Sequence, residues 1–346
     1  MKIIIDIKHP AHVHFFKNFI NIMKKNGHEI LITARNKDVT LSLLKRYNIP
    51  YIKISSVGHS KLDLMKELII RNYKFYKIAK KFKPDILLAT MGVTIAPIGR
   101  LIGLPSIVFY NNESAKLTNR FAYCLSTIFI TPASFRINYG KKQLRYKGCH
   151  ELAYLHPNYF KPNSEVLKRV GLNRDEKFSI IRFVSWGASH DIGHKGIALK
   201  NKIRAVKEFR KHGKVFISSE NLLPKELNKY CIKLSPEKLH HLLYYASLLY
   251  GESATLASEA AILGTPAIYL DNIGRGYTDE QEKYGLIFNF SESMEEQKKS
   301  IKKGVEILKN QNSKNYFKNK KNDYIKSNID LTKFMIEQVL KYINNT

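Results

Sequence analysis

The feature of this sequence that most limits its fold is a recurring pair: a short apolar run, then a stretch with helical spacing. "KIIIDI" (2–7), "HEILITAR" (28–35), "IPYIKI" (49–54), "PDILLAT" (84–90) and "PSIVFYN" (105–111) have strand length and are rich in Ile, Leu and Val. Between the first two, "HVHFFKNFINIMKKNG" (12–27) sets apolar residues at 13, 16, 19, 20 and 23 and closes on Lys24, Lys25 and Gly27. That is a helix with a cationic last turn and a glycine stop. Further helices are expected over 38–48, 62–82 and 91–103. The alternation resumes with "KFSIIRFVSW" (177–186), "KVFISSE" (214–220), "LLYGES" (248–253) and "PAIYLDN" (266–272), separated by helices near 197–212, 235–247 and 254–264. Repeated βα units of this length make parallel sheets covered by helices on both faces.

The expected fold class is therefore α/β: two Rossmann-like, doubly wound domains facing a cleft at the carboxyl ends of their strands, where ligands bind in such folds. The expected boundaries are 1–155 for the first domain, 156–175 for a linker rich in Pro, Asn and charge, 176–325 for the second domain, and 326–346 for a closing helix. At 346 residues and 44% hydrophobic content the chain supports two cores and is not a disordered chain. Cys124, Cys149 and Cys231 are scattered, without metal or redox spacing, which fits a reducing cytoplasm. The apolar stretch in "MKIIIDIKHPAH" is too short for a signal peptide, and no run of about 18 apolar residues is present to span a bilayer.

The formal net charge is +29. A charge of that size meets anionic partners or stays solvated. Nucleic acid, an anionic membrane surface and a phosphorylated substrate compete for it, and a general excess of Lys, Asn and Ile accounts for part of it. The expected helix over 62–82 carries Lys66, Arg71, Lys74, Lys77, Lys80, Lys81 and Lys83 among Tyr73, Phe75, Tyr76 and Phe82. That mixture suits a membrane surface or nucleic acid, and equally a solvated face over a packed helix. No zinc-finger spacing or aromatic RNA-binding strand supports specific nucleic-acid binding.

The stretches that carry chemistry sit at expected carboxyl strand ends. In "YGESATLASEAAILGTPAI" a strand ends at Gly251, and a helix starts after Ser253. A helix N-terminus exposes unpaired N–H groups and partial positive charge, so Ser253, Ala254, Thr255 and Leu256 form a phosphate-type turn. Glu259, about one turn further on, is placed to accept bonds from vicinal hydroxyls, although the helix dipole alone also favours an acid there. "SWGASHDIGHKG" (185–196) brings Ser185, Gly187 and Ser189 to another strand end. The spacing of its His190, Asp191 and His194 could suggest a metal, but no further ligand is apparent, so no metal is expected. After "PAIYLDN", the polar loop 272–285 supplies Asp279, Glu280 and Gln281 as partners for sugar hydroxyls, or simply as helix-capping groups. "DIKHPAHVHFF" (6–16) clusters His9, His12 and His14. An imidazole there can serve as general base, with His12 and His14 the candidates and His9 nearer the turn. "YNNESAKLTNR" (110–120) offers Asn112, Glu113 and Asn119 for hydroxyl recognition or for helix capping.

These residues resemble the donor site of GT-B glycosyltransferases. The pattern is similar to the peptidoglycan N-acetylglucosaminyltransferase family in Gly251, Thr255, Ser258-Glu259, Gly264-Thr265-Pro266 and Gln281, and in "LTN" plus a basic residue within "NNESAKLTNR". "DIKHPAHVHFFKNFI" and "RFVSWGASHD" look still more like an uncharacterised prokaryotic family of the same superfamily, over nearly the whole chain. The first loop lacks the glycine run of the peptidoglycan enzymes, and "SWGAS" replaces their "GGS"-type loop. The resemblance implies that Glu259 binds ribose, that 253–256 bind pyrophosphate, that Gln281 contacts the donor sugar and that 185–189 line the nucleotide. It also implies that His12 or His14 is the base, or binds the acceptor.

The expected function is a metal-independent glycosyltransferase. It takes a nucleotide-sugar as substrate, with no separate cofactor, and a hydroxyl acceptor on a lipid or glycan intermediate of polysaccharide synthesis. It would act in the cytoplasm or peripherally at the inner face of the membrane. Two alternatives stand beside it: a nucleotide-sugar 2-epimerase, for which Glu113, Asp279 and Glu280 are the carboxylates, and a basic binding module without catalysis.

Overall fold

The computed structural model describes residues 1–344 apart from 59, 185–195 and 220–222. The chain divides into two compact units, Met1–Tyr154 with Ile329–Thr346, and Leu155–Asn328. The last helix thus belongs with the first unit. Residues 156–175, expected as a linker, cluster with the second unit and contain a short helix.

In the first unit the elements are β1 (Lys2–Ile7), α1 (Pro10–Lys25), β2 (Glu29–Asn36), α2 (Thr40–Arg46), β3 (Ile52–Ser56), α3 (Lys61–Phe82), β4 (Ile86–Thr90), α4 (Ile95–Ile102), β5 (Ser106–Phe109), α5 (Lys116–Leu125), β6 (Ile128–Pro132) and β7 (Gln143–Tyr146), with α6 (Leu152–Leu155) at the boundary. The sheet order is β3-β2-β1-β4-β5-β6-β7, and every neighbouring pair is parallel. β1 lies between β2 and β4, with Ile4 opposite Leu31 on one side and Leu87 on the other. Ile3, Ile4, Ile5 and Ile7 are completely buried. A strand covered on both faces has no solvent side, so it reads as a continuous apolar run. The chain lays β1, β2 and β3 outward one way. α3 then carries it back past β1 to β4, so the strand order reverses between β1 and β4, the place where ligands bind in such sheets.

The second unit follows the same plan with α7 (Glu165–Arg169), β8 (Phe178–Phe183), α8 (Leu199–Phe209), β9 (Lys214–Ser219), α9 (Lys225–Asn228), α10 (Leu239–Tyr245), β10 (Leu248–Gly251), α11 (Ala254–Leu263), β11 (Ala267–Leu270), α12 (Gly276–Lys283), β12 (Ile287–Phe290), α13 (Met294–Lys309) and α14 (Ser313–Ser327). Its parallel sheet is ordered β12-β11-β10-β8-β9, and the reversal falls between β8 and β10. α15 (Leu331–Asn344) returns to the first unit and packs against α1, burying Leu331, Met335 and Val339 completely.

Candidate functional site

At the reversal point of the second sheet the backbone is pinched. Gly251 ends β10 opposite Arg182 of β8, and a Cβ at position 251 would lie 2.1 Å from the Arg182 carbonyl oxygen. Only glycine lets the two strands close there. The chain then turns into α11. Ser253 is the N-cap, its Oγ accepting from the Leu256 N–H at 3.3 Å. Ser253, Ala254 and Thr255 are half-buried, so this turn is reachable by a ligand, whereas Leu256 is buried and contributes packing.

Glu259 sits behind that turn. It is 5% exposed, and its carboxylate lies 2.9 Å from Nε2 of His240, a buried residue of α10. The imidazole fixes the carboxylate's position, a partnership between elements that the sequence pattern did not signal. Gln281, expected at the donor sugar, is fully buried. Its side-chain amide donates to Ser258 Oγ at 2.9 Å and ties α12 to α11. The loop before α12 is shaped by Asp271, which accepts from the Ile273 and Gly274 N–H groups and from the Tyr269 hydroxyl. Burial opposes its charge, but those bonds and nearby Arg275 hold its carboxyl below the usual range.

Glu252, between Gly251 and the cap, has a task not expected from the sequence. It is 3% exposed, and its carboxylate accepts from the N–H of Val184 at 3.1 Å and of Ile197 at 2.5 Å. One side chain after β10 therefore ties Val184, just past β8, to Ile197, just before α8. Glu292 accepts from the Gly196 N–H, and Gln297 accepts from the Ala198 N–H and the Asn201 side chain. Ser185, Gly187 and Ser189, with the His190, Asp191 and His194 trio, lie outside the described residues. The clue to Glu252 in the sequence is an acid directly after a buried strand and before a row of small residues.

The first unit has a comparable arrangement at its own reversal point. Asp6 and Lys8 alternate at the end of β1 and so share a face. The Lys8 ammonium lies 3.2 Å from Asp6 and donates to the carbonyl of Met91 at 3.0 Å, joining the ends of β1 and β4. Thr33 donates to Asp6 at 2.9 Å. Met91 has a left-handed backbone, φ 60°, and Gly92 follows because a Cβ there would meet Val108 at 2.4 Å. Burial pushes the Lys8 amine down to about 7, Asp6 resisting and Arg71 adding to the fall. The sequence signal for this pair is two opposite charges two residues apart at the end of an apolar strand.

His9 caps α1, its Nδ1 accepting from the Ala11 N–H, and Pro10 takes the first helical position. His12 is buried in the first turn, with the Lys8 N–H donating to its Nδ1 at 3.3 Å. Burial keeps its ring neutral well below the ordinary histidine range, helped by His9 and Lys8. His14 occupies a packing position: it stacks on Tyr154 with ring centres 5.5 Å apart and meets the Tyr47 hydroxyl at 3.2 Å. Of the three, His12 belongs to the reversal point. In the β5–α5 connection, Asn112 accepts from the Ser114 N–H and Glu113 is buried. Asn119 is fully buried and braces the loop by donating to the Asn112 carbonyl at 2.8 Å.

A cavity of about 260 Å³ opens at the opposite, amino edge of the second sheet, beside Lys177, Ser247, Pro266 and Lys321. It is remote from the strand ends just described.

A family model described as "Protein of unknown function (DUF354)" matches residues 1–344. The chain belongs to that family. An uncharacterised protein of Methanocaldococcus jannaschii is 26% identical over 274 residues, 76% of this chain and 80% of that one. A solved structure of UDP-GlcNAc 2-epimerase from Methanocaldococcus jannaschii superposes with a TM-score of 0.68 at 16% identity, covering 99% of this chain and 100% of that chain. The spinosyn rhamnosyltransferase SpnG complexed with thymidine diphosphate gives 0.64 at 13% identity, covering 98% of this chain and 100% of that one. Likeness at this level shows the fold, which is GT-B, with parallel sheets of seven and five strands.

Proposed function

We propose that this family member is a glycosyltransferase that binds a nucleotide-diphosphate sugar at the carboxyl edge of its second sheet and transfers the sugar to a hydroxyl acceptor. The observation that carries the reading is the accessible Ser253–Thr255 turn at the strand-order reversal, with Gly251 holding the strands close and Glu259 fixed behind it. The N-terminal N–H groups of α11 would take the charge that develops on the departing diphosphate, with no metal required for that task. Glu259 would accept from the ribose hydroxyls, and Glu252 would hold the backbone at Val184 and Ile197. In the first unit, His12 would accept the acceptor's proton. Burial keeps the ring neutral but also lowers its basicity, and its Nδ1 lone pair is engaged by the Lys8 N–H at 3.3 Å, so it would act as base only once that bond is released.

The solved structures of similar fold concern enzymes of UDP-GlcNAc and a thymidine diphosphate complex, so both nucleotides belong in the test. Calorimetry with UDP and dTDP should give binding to the wild-type chain. Glu259→Gln should weaken it by about ten- to a hundredfold, the effect of losing a charged hydrogen-bond partner. Unchanged affinity in the variant would remove Glu259 from the site. Incubation with UDP-GlcNAc and no acceptor should return it unaltered. Appearance of the 2-epimer would replace transfer by epimerisation.

A further inference from the structure

We propose that the amino-terminal half of α3, with the start of α5, docks the protein on an anionic phospholipid bilayer. The docking stands on surface observations alone and does not depend on the sugar-transfer reading. In that half of α3 the usual polarity of a surface helix is inverted. The side chains facing inward are Glu67 and Arg71, 8% and 5% exposed. Those facing out are Leu62, Met65, Ile69 and Ile70, between 51% and 68% exposed, with Leu64 and Leu68 on the flank at 44% and 37%. The inward face has a reason to be charged. Glu67 pairs with Arg35 and accepts from Ser55 at 2.8 Å, while Arg71 donates to Thr94 at 3.0 Å. The outward face has no such account within the protein, because a helix of a soluble domain turns its Leu and Ile inward. Exposed apolar side chains gathered on one helix face mark a binding surface.

The charge around it selects the occupant. Lys66, Lys74, Lys77, Lys80, Lys81 and Lys83 are all exposed on or just after α3. Of the two acids on the helix, Glu67 is buried and Asp63 is engaged in the capping box with Ser60. A second copy pressed onto this face would set lysines against lysines. A nucleic acid would match the lysines but leave the Leu and Ile side chains without apolar cover. An anionic bilayer satisfies both, with apolar side chains below the headgroups and ammonium groups at the phosphates. A neighbouring helix repeats the combination. α4 packs against both α3 and α5, and α5 opens with Leu117 at 88% and Phe121 at 48% exposure, next to exposed Lys116 and Arg120. α3 and α5 both begin just after strands, β3 and β5, so their first turns share the carboxyl rim of the first sheet with Lys8 and His12. No helix among the described residues is long and apolar enough to cross a membrane, so the attachment is to the surface.

The test is co-sedimentation of the full chain with vesicles of phosphatidylcholine alone and with about a third phosphatidylglycerol. The wild type should partition at least about tenfold more strongly onto the anionic vesicles, and less so as salt rises. The triple variant Leu62→Ser, Met65→Ser, Ile69→Ser should lose about tenfold or more of that binding. Its melting temperature and its response to nucleotides should stay unchanged, because these side chains are exposed. Absence of binding by the wild type would overturn the proposal. So would equal binding by the triple variant, which would show diffuse attraction by net charge, or a wild-type dimer in sedimentation equilibrium that the triple variant abolishes.

Discussion

At the scale of single residues, the buried histidines decide how the first unit meets acid. His150 stacks parallel to Tyr146 and lies 4.5 Å, centre to centre, from the Phe15 ring, and its Nε2 is buried with no hydrogen-bond partner among the described residues. Burial alone pushes it down to about 3. The folded value is thus depressed below the unfolded value near 6.5, so stability present above 6.5 is lost as pH falls from there toward 3. His150→Leu, close in volume, should remove that share. Between pH 6 and 5 the wild type should lose about 1 kcal/mol more unfolding free energy than the variant, measured by urea titration. An identical loss in both would mean that His150 is solvated in the folded state. Glu259 and the His12 cluster were visible in the sequence because unusual residue types stood at expected strand ends. His240 was not, since nothing in "SPEKLHHLLYYAS" says that this imidazole meets a carboxylate nineteen residues away in sequence.

At the scale of elements, the β10–α11 junction is the part whose local rules are most restrictive. Gly251→Ala would force the new Cβ into the Arg182 carbonyl and should cost about 1–3 kcal/mol as β8 and β10 separate. Ser253→Ala removes the cap of α11 and should cost about 1 kcal/mol. Both are read by chemical denaturation, and both should weaken nucleotide binding. Wild-type stability in the Gly251→Ala variant would mean that the strands are not held as close as described. The apolar runs that the sequence marks as strands, and that form strands in the fold, share a cause: burial within a covered parallel sheet. β7 "QLRY" and β12 "IFNF" escaped notice, and so did β6 "IFITP", an apolar interior strand no shorter than β5 or β10, which the sequence did mark. β7 and β12 lie at sheet edges, where part of the strand faces water and polar residues break the run. In α3 the sequence groups Phe75 with the surface aromatics, yet it is completely buried, and the exposed apolar side chains lie mainly in the preceding turns.

At the scale of the whole molecule, the chain completes its first unit last. Leu331, Met335 and Val339 of α15 are wholly buried against the first unit, and Thr332 donates to the Ala153 carbonyl at 2.7 Å. Ending the chain after Asn328 removes three buried side chains worth about 1.5–3 kcal/mol each. Calorimetry should then show the transition of the first unit moving to lower temperature while that of the second stays in place. A single transition shifted as a whole would show that the two units melt together. Two parallel α/β sheets were legible in the residues, since repeated apolar runs and helical periods need only local spacing and burial to be read. The loops that lie at strand ends were legible too. Only the folded chain brings Glu252 to Val184 and Ile197, Lys8 to the end of β4, His240 to Glu259 and α15 back to the first unit. Each of these depends on groups far apart in sequence meeting in space, and neither residue type nor periodicity carries that distance.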